Sequence, residues 1–275
     1  MESYQQRLQH ALRAMEARLE VPYSLDELAA LAGFSPFHFH RIFRGMVGES
    51  VKQYERRLRL ERAARQLKSG KRTVLEIALE AGYESHEAFT RAFAEMFDVP
   101  PASYRKSCGI FGAQEPENSC ASAFRIEHLG PVHVVGLRHV GPYAKVGRAW
   151  QRLYVWAGQK NLLRGPERSM AICHDDPEVT LPDKVRCDCC LVINSSIATE
   201  GDFFQQEIAA REYAAVLHTG AYAHLNDSYA ELAGKWIPQA GREIANLSSI
   251  EFYLNTQENT PEEQLQTEIY LPLEE

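Results

Sequence analysis

The chain has 275 residues and a formal net charge of −7, divided unevenly: residues 1–107 hold 17 Lys and Arg against 14 Asp and Glu, and the remainder 13 against 23. That length suggests two domains, of which nucleic acid would meet the first and be repelled by the second. With no bilayer-length apolar run and no signal-peptide pattern, a cytoplasmic protein is expected, its six cysteines free thiols.

In chain order, Leu8, Leu12, Met15 and Leu19 predict an amphipathic N-terminal helix. Residues 24–44 then read as two short helices around a glycine. Ser24 and Glu27 have capping-box spacing, Leu28 and Ala29 start a buried stripe, and Gly33 supplies the turn. Ser35 caps the second helix, with Pro36 at its first position. Phe39 and Phe43, four apart, face a core. Residues 50–69 predict one long helix, basic through Lys52, Arg56, Arg57, Arg59, Arg62, Arg65 and Lys68. About twenty helical residues span roughly 30 Å, close to one turn of DNA.

The first pattern recurs at 73–94. Thr73 and Glu76 repeat the capping box, Ile77 and Ala78 the stripe, Gly82 the turn. Ser85, Phe89, Arg91 and Phe93 match Ser35, Phe39, Arg41 and Phe43 at an offset of fifty. Pro100 and Pro101 are expected to end the unit. One helical hairpin is weak evidence for DNA binding; two, held by a helix of the right length, are stronger.

With its two helix-turn-helix spacings, its linking helix and the closing FDVPPASYR, the stretch 4–106 resembles the AraC/XylS family of transcription regulators. The resemblance implies that the second helix of each motif enters the major groove of double-stranded DNA. Carried over by position, the base-facing candidates are Phe37, His40 and Arg41, then Glu87, Ala88 and Arg91. Arginine suits guanine, and Phe37 could pack on a thymine methyl. Glu87 departs from the amide usual there; a carboxylate can accept from cytosine but is repelled by phosphate. Arg44, Thr90 and Arg105 would contact the DNA backbone.

Residues 108–123, without a clear period, read as a linker. In residues 124–275, HVGPYA (139–144) recurs as HTGAYA (218–223). A strand-like run precedes each copy, an amphipathic helix follows (Val146, Trp150, Leu153, Trp156; then Leu225, Tyr229, Leu232 and Trp236), and two more strands close each half. The expected fold is therefore multidomain: an all-α double helix-turn-helix domain (1–107), then an α+β domain of two duplicated strand-helix-strand-strand units (124–275).

On that repeat, on HDDPEVTLPDKVRCD (174–188), and on the closing strands EFYLN and TEIYLPL, residues 124–274 resemble the GyrI-like ligand-binding domain. The resemblance implies a groove between the halves, lined by aromatics and a glutamate, that binds lipophilic and often cationic compounds. Glu268 shares a strand face with Tyr270, as Glu251 does with Tyr253. Glu268 is the expected carboxylate, with Tyr143, Tyr222, Trp236 and Tyr270 as walls, because a charge among rings suits a cation.

The expected protein is a sequence-specific transcription regulator with a small-molecule effector, not an enzyme and without cofactor or metal. Cys187 and Cys189 share a strand face and Cys190 takes the other, which does not make a zinc motif. His139 and His218 are expected to be structural. RNA polymerase is a further candidate partner. A monomer carries both reading heads, and a dimer stays open. Two alternatives stand beside this reading. The second domain could hydrolyse electrophilic compounds, with Glu268 as base and Tyr143, Tyr222 or Tyr270 as acid. It could instead bind a protein, such as polymerase or a topoisomerase.

Overall fold

The computed structural model describes residues 4–69, 72–110, 124–163 and 168–275. The chain divides into two units, Met1–Ala113 and Gln114–Glu275. In the first, α1 (Tyr4–Ala17) buries Leu8, Ala11 and Met15. Ser24 opens α2 (Leu25–Leu31): its hydroxyl accepts from the Glu27 amide, and the Glu27 carboxylate accepts from the Ser24 amide at 2.7 Å. This reciprocal cap satisfies two amides that a helix start leaves without partners. Gly33, at φ 63°, then turns the chain into α3 (Pro36–Val47). Arg7 clamps the turn, its Nε donating to the Ala32 carbonyl at 2.6 Å and its NH2 to that of Gly33. Phe39 and Phe43 are fully buried against α1, α2 and Tyr54.

The linking helix, α4 (Val51–Ser69), starts on a second reciprocal cap, between Ser50 and Gln53. Much of its basic character is neutralised by acidic partners. Arg57 lies buried between Glu49 and Glu61, Arg62 bonds Glu20 at 2.7 Å, and Arg56 pairs with Glu95. The second motif repeats the first. Thr73 and Glu76 cap α5 (Val74–Glu80), Gly82 turns at φ 77°, and α6 (His86–Phe97) buries Phe89 and Phe93. Pro100 and Pro101 do not end the unit. Asp98 breaks α6 in the left-handed region, and Pro101 opens α7 (Pro101–Ile110), whose Tyr104 packs edge-on to Phe93 at 5.3 Å. Proline lacks an amide that the first helical position does not use. Residues 108–110, expected as linker, belong to α7; 111–123 lie outside the described residues.

The second unit is a sheet with helices on one face. Its elements are β1 (Arg125–Leu129), β2 (Val132–Val140), α8 (Gly147–Gln159), β3 (Ser169–Cys173), β4 (Arg186–Val192), β5 (Phe203–Ile208), β6 (Arg211–Thr219), α9 (Leu225–Glu231), β7 (Ser249–Tyr253) and β8 (Gln266–Pro272). The strands pair antiparallel in the order β1-β6-β8-β7-β3-β4-β2-β5. β1 and β5 are additional to the expected strands. Each pairs with the other half's long strand, β1 with β6 and β5 with β2, so each edge ties the halves together. After β2 and β6 the chain turns on Gly141 and Gly220, at φ 135° and 131°. His139 and His218 staple these turns, each Nε2 bonding a carbonyl three residues on (Pro142 at 3.1 Å, Ala221 at 3.2 Å). α9 continues through a π turn (Leu232–Trp236) to Ile237–Gln239.

Side chains on the helix face pack in two clusters, one under α8 and one under α9. The opposite face buries Val134, Met170, Ile172, Tyr213, Ile250, Phe252 and Tyr270. A polar network also sits there. Asp188, fully buried, bonds Arg138 Nε at 2.7 Å and His174 Nε2 at 3.0 Å, while His174 Nδ1 meets the Ser248 hydroxyl at 2.8 Å. Burial, and then the Arg138 charge, depress the His174 pKa. Burial would raise Asp188, but Arg138 and His174 hold it well below the carboxylate range.

Two outcomes follow from this packing. A Cβ on Gly136 would sit 2.7 Å from Cys190 Sγ and 2.8 Å from the Cys189 carbonyl, so Gly136→Ala should lower unfolding stability by about 1–3 kcal/mol. Gly147→Ala, with nothing within 4 Å, should not lower stability when both variants are unfolded in urea. Because the folded state resists protonating His174, the unfolded chain takes up that proton first. Thermal stability should therefore fall as pH drops through about 6.5, and fall again below about 3.9 as Asp188 titrates in the unfolded chain. His174→Gln should flatten the first step; an unchanged step would place its origin elsewhere.

Candidate functional sites: two helix faces and an aromatic cleft

In the first unit the capping serines fix where each second helix starts and so which side chains face out. On α3, Phe37, His40, Arg41 and Arg44 are exposed, and the Arg41 guanidinium lies 4.3 Å from the Phe37 ring centre. On α6, Glu87 and Arg91 are exposed and Ala88 is half-buried. Ala88 and Arg91 line an open cleft of about 580 Å³ with Lys52, Arg56 and Arg59 of α4. The structure brings these seven candidates onto two helix faces. Two others it places elsewhere. The Thr90 hydroxyl is buried, with no hydrogen-bond partner among the described residues. Arg105 NH2 donates to the Arg72 carbonyl at 2.6 Å, which ties α7 to the start of the second motif.

An aromatic cluster lies in the second unit, on the helix face between α8 and α9. Its floor is the pair β3 and β7, adjacent at the centre of the sheet. Glu251, 6% exposed, opposes Ala171 on that floor. Its two carboxylate oxygens accept from Tyr229 OH at 2.9 Å and Tyr253 OH at 2.7 Å. Tyr253 makes edge contacts with Trp150 and Tyr222, both at 5.6 Å, and Trp150 adjoins Tyr154. Tyr143 closes the cluster against Cys173 and Cys187. Burial first, and then the Glu251 charge, raise the pKa of Tyr222, Tyr229 and Tyr253, so these phenols stay neutral donors. Burial likewise pushes Tyr143 far up. Among the described residues, Glu251 makes no ion pair.

Of the five residues expected to line one groove, only Tyr143 and Tyr222 stand here. Glu268 opposes Phe252 and Tyr270 opposes Ile250, which puts both on the other face of the sheet. There Glu268 accepts from Arg125 at 2.7 Å, and Arg125 reaches Tyr270 OH at 3.1 Å and Glu127 at 2.8 Å. Tyr270 is pushed up to about 12 by burial and by the Glu268 and Glu127 charges. Of the acids named for the alternative hydrolase, Tyr143 and Tyr222 lie on the opposite face from Glu268, and Tyr270 stands beside it, its OH 3.3 Å from the carboxylate that Arg125 also holds. Trp236 stacks on Phe124 at 5.8 Å in the core beneath α9. The residues that sequence reasoning missed are Trp150, Tyr229, Glu251 and Tyr253. The Glu251/Tyr253 spacing was legible, but it is the same as that of Glu268/Tyr270. Among the described residues no group of three or more His, Cys, Asp or Glu is arranged to hold a metal, and no helix is long and apolar enough to cross a membrane.

Comparison with known proteins agrees with this two-part layout. Residues 122–274 match the GyrI-like small molecule binding domain, and residues 28–107 match a helix-turn-helix domain. The transcriptional regulator Rob of Salmonella typhimurium is 39% identical over 104 residues, which is 37% of this chain and 36% of that protein. The uncharacterized HTH-type transcriptional regulator YbfP of Bacillus subtilis is 37% identical over 115 residues, 42% of this chain and 39% of that one. The matched stretch thus spans little more than a third of these relatives. The multiple antibiotic resistance protein MarA of Salmonella typhimurium is 37% identical over 91 residues, 33% of this chain and 72% of that protein. The chain belongs to the AraC-type helix-turn-helix family and carries a GyrI-like small-molecule-binding domain.

Proposed function

We propose that this protein is a one-component transcription regulator, in which residues 1–107 bind a DNA site of two major-groove half-sites and residues 124–275 bind a lipophilic cation. One observation carries the effector reading: a buried carboxylate, Glu251, that has two phenol donors but no ion pair among the described residues, amid a cluster of half-buried rings, Tyr143, Trp150, Tyr222 and Tyr253. A buried negative charge is costly unless it is paired. A flat aromatic cation would pair it and gain cation–π attraction from the rings. Small neutral ligands would leave the charge as it stands.

On the DNA side, Phe37, His40 and Arg41 of the first motif and Glu87, Ala88 and Arg91 of the second would face bases, with Arg44 on a phosphate. Thr90 and Arg105 are left out, since one hydroxyl is buried and the other guanidinium is tied to backbone. We also read the second unit as an internal duplication. Its support is the strand order: exchanging β1 with β5, β2 with β6, β3 with β7 and β4 with β8 returns the same sheet read from the other edge. The aromatic cluster then lies where the two halves meet.

Two variants test the two sites. Arg91→Ala should weaken binding to a selected operator by about 1–3 kcal/mol and relax base choice at one position. Uniform weakening on every sequence would make Arg91 a phosphate contact instead. Glu251→Gln keeps both phenol partners in reach and removes the charge. By calorimetry, its affinity for an aromatic quaternary ammonium ion should fall about tenfold or more, roughly 1.4 kcal/mol, while Glu268→Gln should change little. Equal affinity in wild type and Glu251→Gln would remove the effector proposal.

A further inference from the structure

The strands beneath the same aromatic cluster carry a second chemistry, borne by sulfur. Cys173 on β3 and Cys187 on β4 are direct cross-strand partners. The ladder around them fixes their pairing type. The His174 amide donates to the Arg186 carbonyl at 3.2 Å, and the Val192 amide to the Arg168 carbonyl at 3.0 Å. Counting in steps of two from these bonded pairs leaves Cys173 and Cys187 as a non-hydrogen-bonded pair. In antiparallel sheets that is the pair type whose side chains approach most closely. Both are buried, Cys173 at 7% and Cys187 at 2% exposure, and both pack under Tyr143 and Tyr253. Cys189, two residues along β4, takes the same face of the sheet.

We propose that Cys173 and Cys187 form a two-coordinate site for a divalent thiophilic cation, with mercuric ion as its type. The coordination number follows from the donor set. Tetrahedral and octahedral ions need three or more protein ligands or open water positions, and no such group of donors is found among the described residues. A soft d10 ion that prefers two opposed sulfurs needs only this pair. The charge follows from burial. Two S–H bonds break, two S–metal bonds form, and two protons leave to solvent. The product is a neutral bis-thiolate complex, which a buried floor tolerates. A monovalent ion would leave a net negative charge beside Glu251. From the proposed function this takes only the location of the aromatic cluster, not its cation chemistry.

The test uses the full-length chain with Cys108, Cys120 and Cys190 replaced by Ser. Mercuric chloride is titrated in excess glutathione, with near-ultraviolet sulfur-to-metal absorption and bound mercury measured together. One tightly held mercury per chain is expected, with two protons released. Cys173→Ser or Cys187→Ser should each cost at least a hundredfold in affinity, and Cys189→Ser should cost little. X-ray absorption of the loaded triple variant, which needs no change at the site, should show two sulfur neighbours. Fewer than two sulfurs, or equal retention after Cys173→Ser, would overturn the proposal. Titrating the same triple variant with an aromatic quaternary ammonium ion reads the Glu251 proposal separately, so either can fail alone.

Discussion

In an antiparallel sheet, a residue and its cross-strand partner must point to the same side, and successive residues must alternate. Everything said of the second unit depends on that constraint. With helices on one face only, the register of β7 against β3 and β8 decides which carboxylate enters the aromatic cluster between them. Ser249, Glu251 and Tyr253 take the helix side; Ile250 and Phe252, with their partners Glu268 and Tyr270, take the other. A slip of one residue would exchange the two sets and remove the charge from the cluster. The exchanged edge strands oppose such a slip, because β1 and β5 each bind one half to the other.

The same constraint explains what the sequence made legible. Signals written within a few residues were readable. The Ser24/Glu27 and Thr73/Glu76 caps, the Gly33 and Gly82 turns, and the paired phenylalanines each follow from local spacing, and each stands where that spacing puts it. The choice between Glu251 and Glu268 was not readable, because in one dimension the two strands carry the same Glu-x-Tyr pattern. Only long-range pairing separates them. The edge strands were missed for a related reason: both pair across the halves, β1 alternates with Arg125 and Glu127 on its more buried side and Ile126 exposed, and β5 is half-buried almost throughout. That the Thr90 hydroxyl is buried and that Arg105 reaches the Arg72 carbonyl were not readable either, since neither the packing of α6 nor the return of α7 onto Arg72 is local.

The two units use polar groups differently. In the first, many charges are spent on holding the frame. Arg7 locks one turn, Arg57 sits between two glutamates, and Arg56 pairs with Glu95, which leaves Arg41, Arg44 and Arg91 outward on the two reading helices. In the second, histidines hold the turns and Arg125 holds Glu268, while Glu251 has only phenol partners among the described residues. A ligand that pairs with Glu251 would alter the contacts of Tyr229 and Tyr253, which belong to a helix and a strand of the same half. A signal to DNA then requires that the ligand favour one of two states of the whole chain.

The most direct test is selection of bound sequences from random duplex DNA by the full-length protein, with and without a panel of aromatic quaternary ammonium ions. The account predicts one enriched site of two blocks about one helical turn apart, with occupancy that changes when a cation is present and does not change in Glu251→Gln. Absence of an enriched site in either condition, or an equal cation effect in Glu251→Gln, would contradict it.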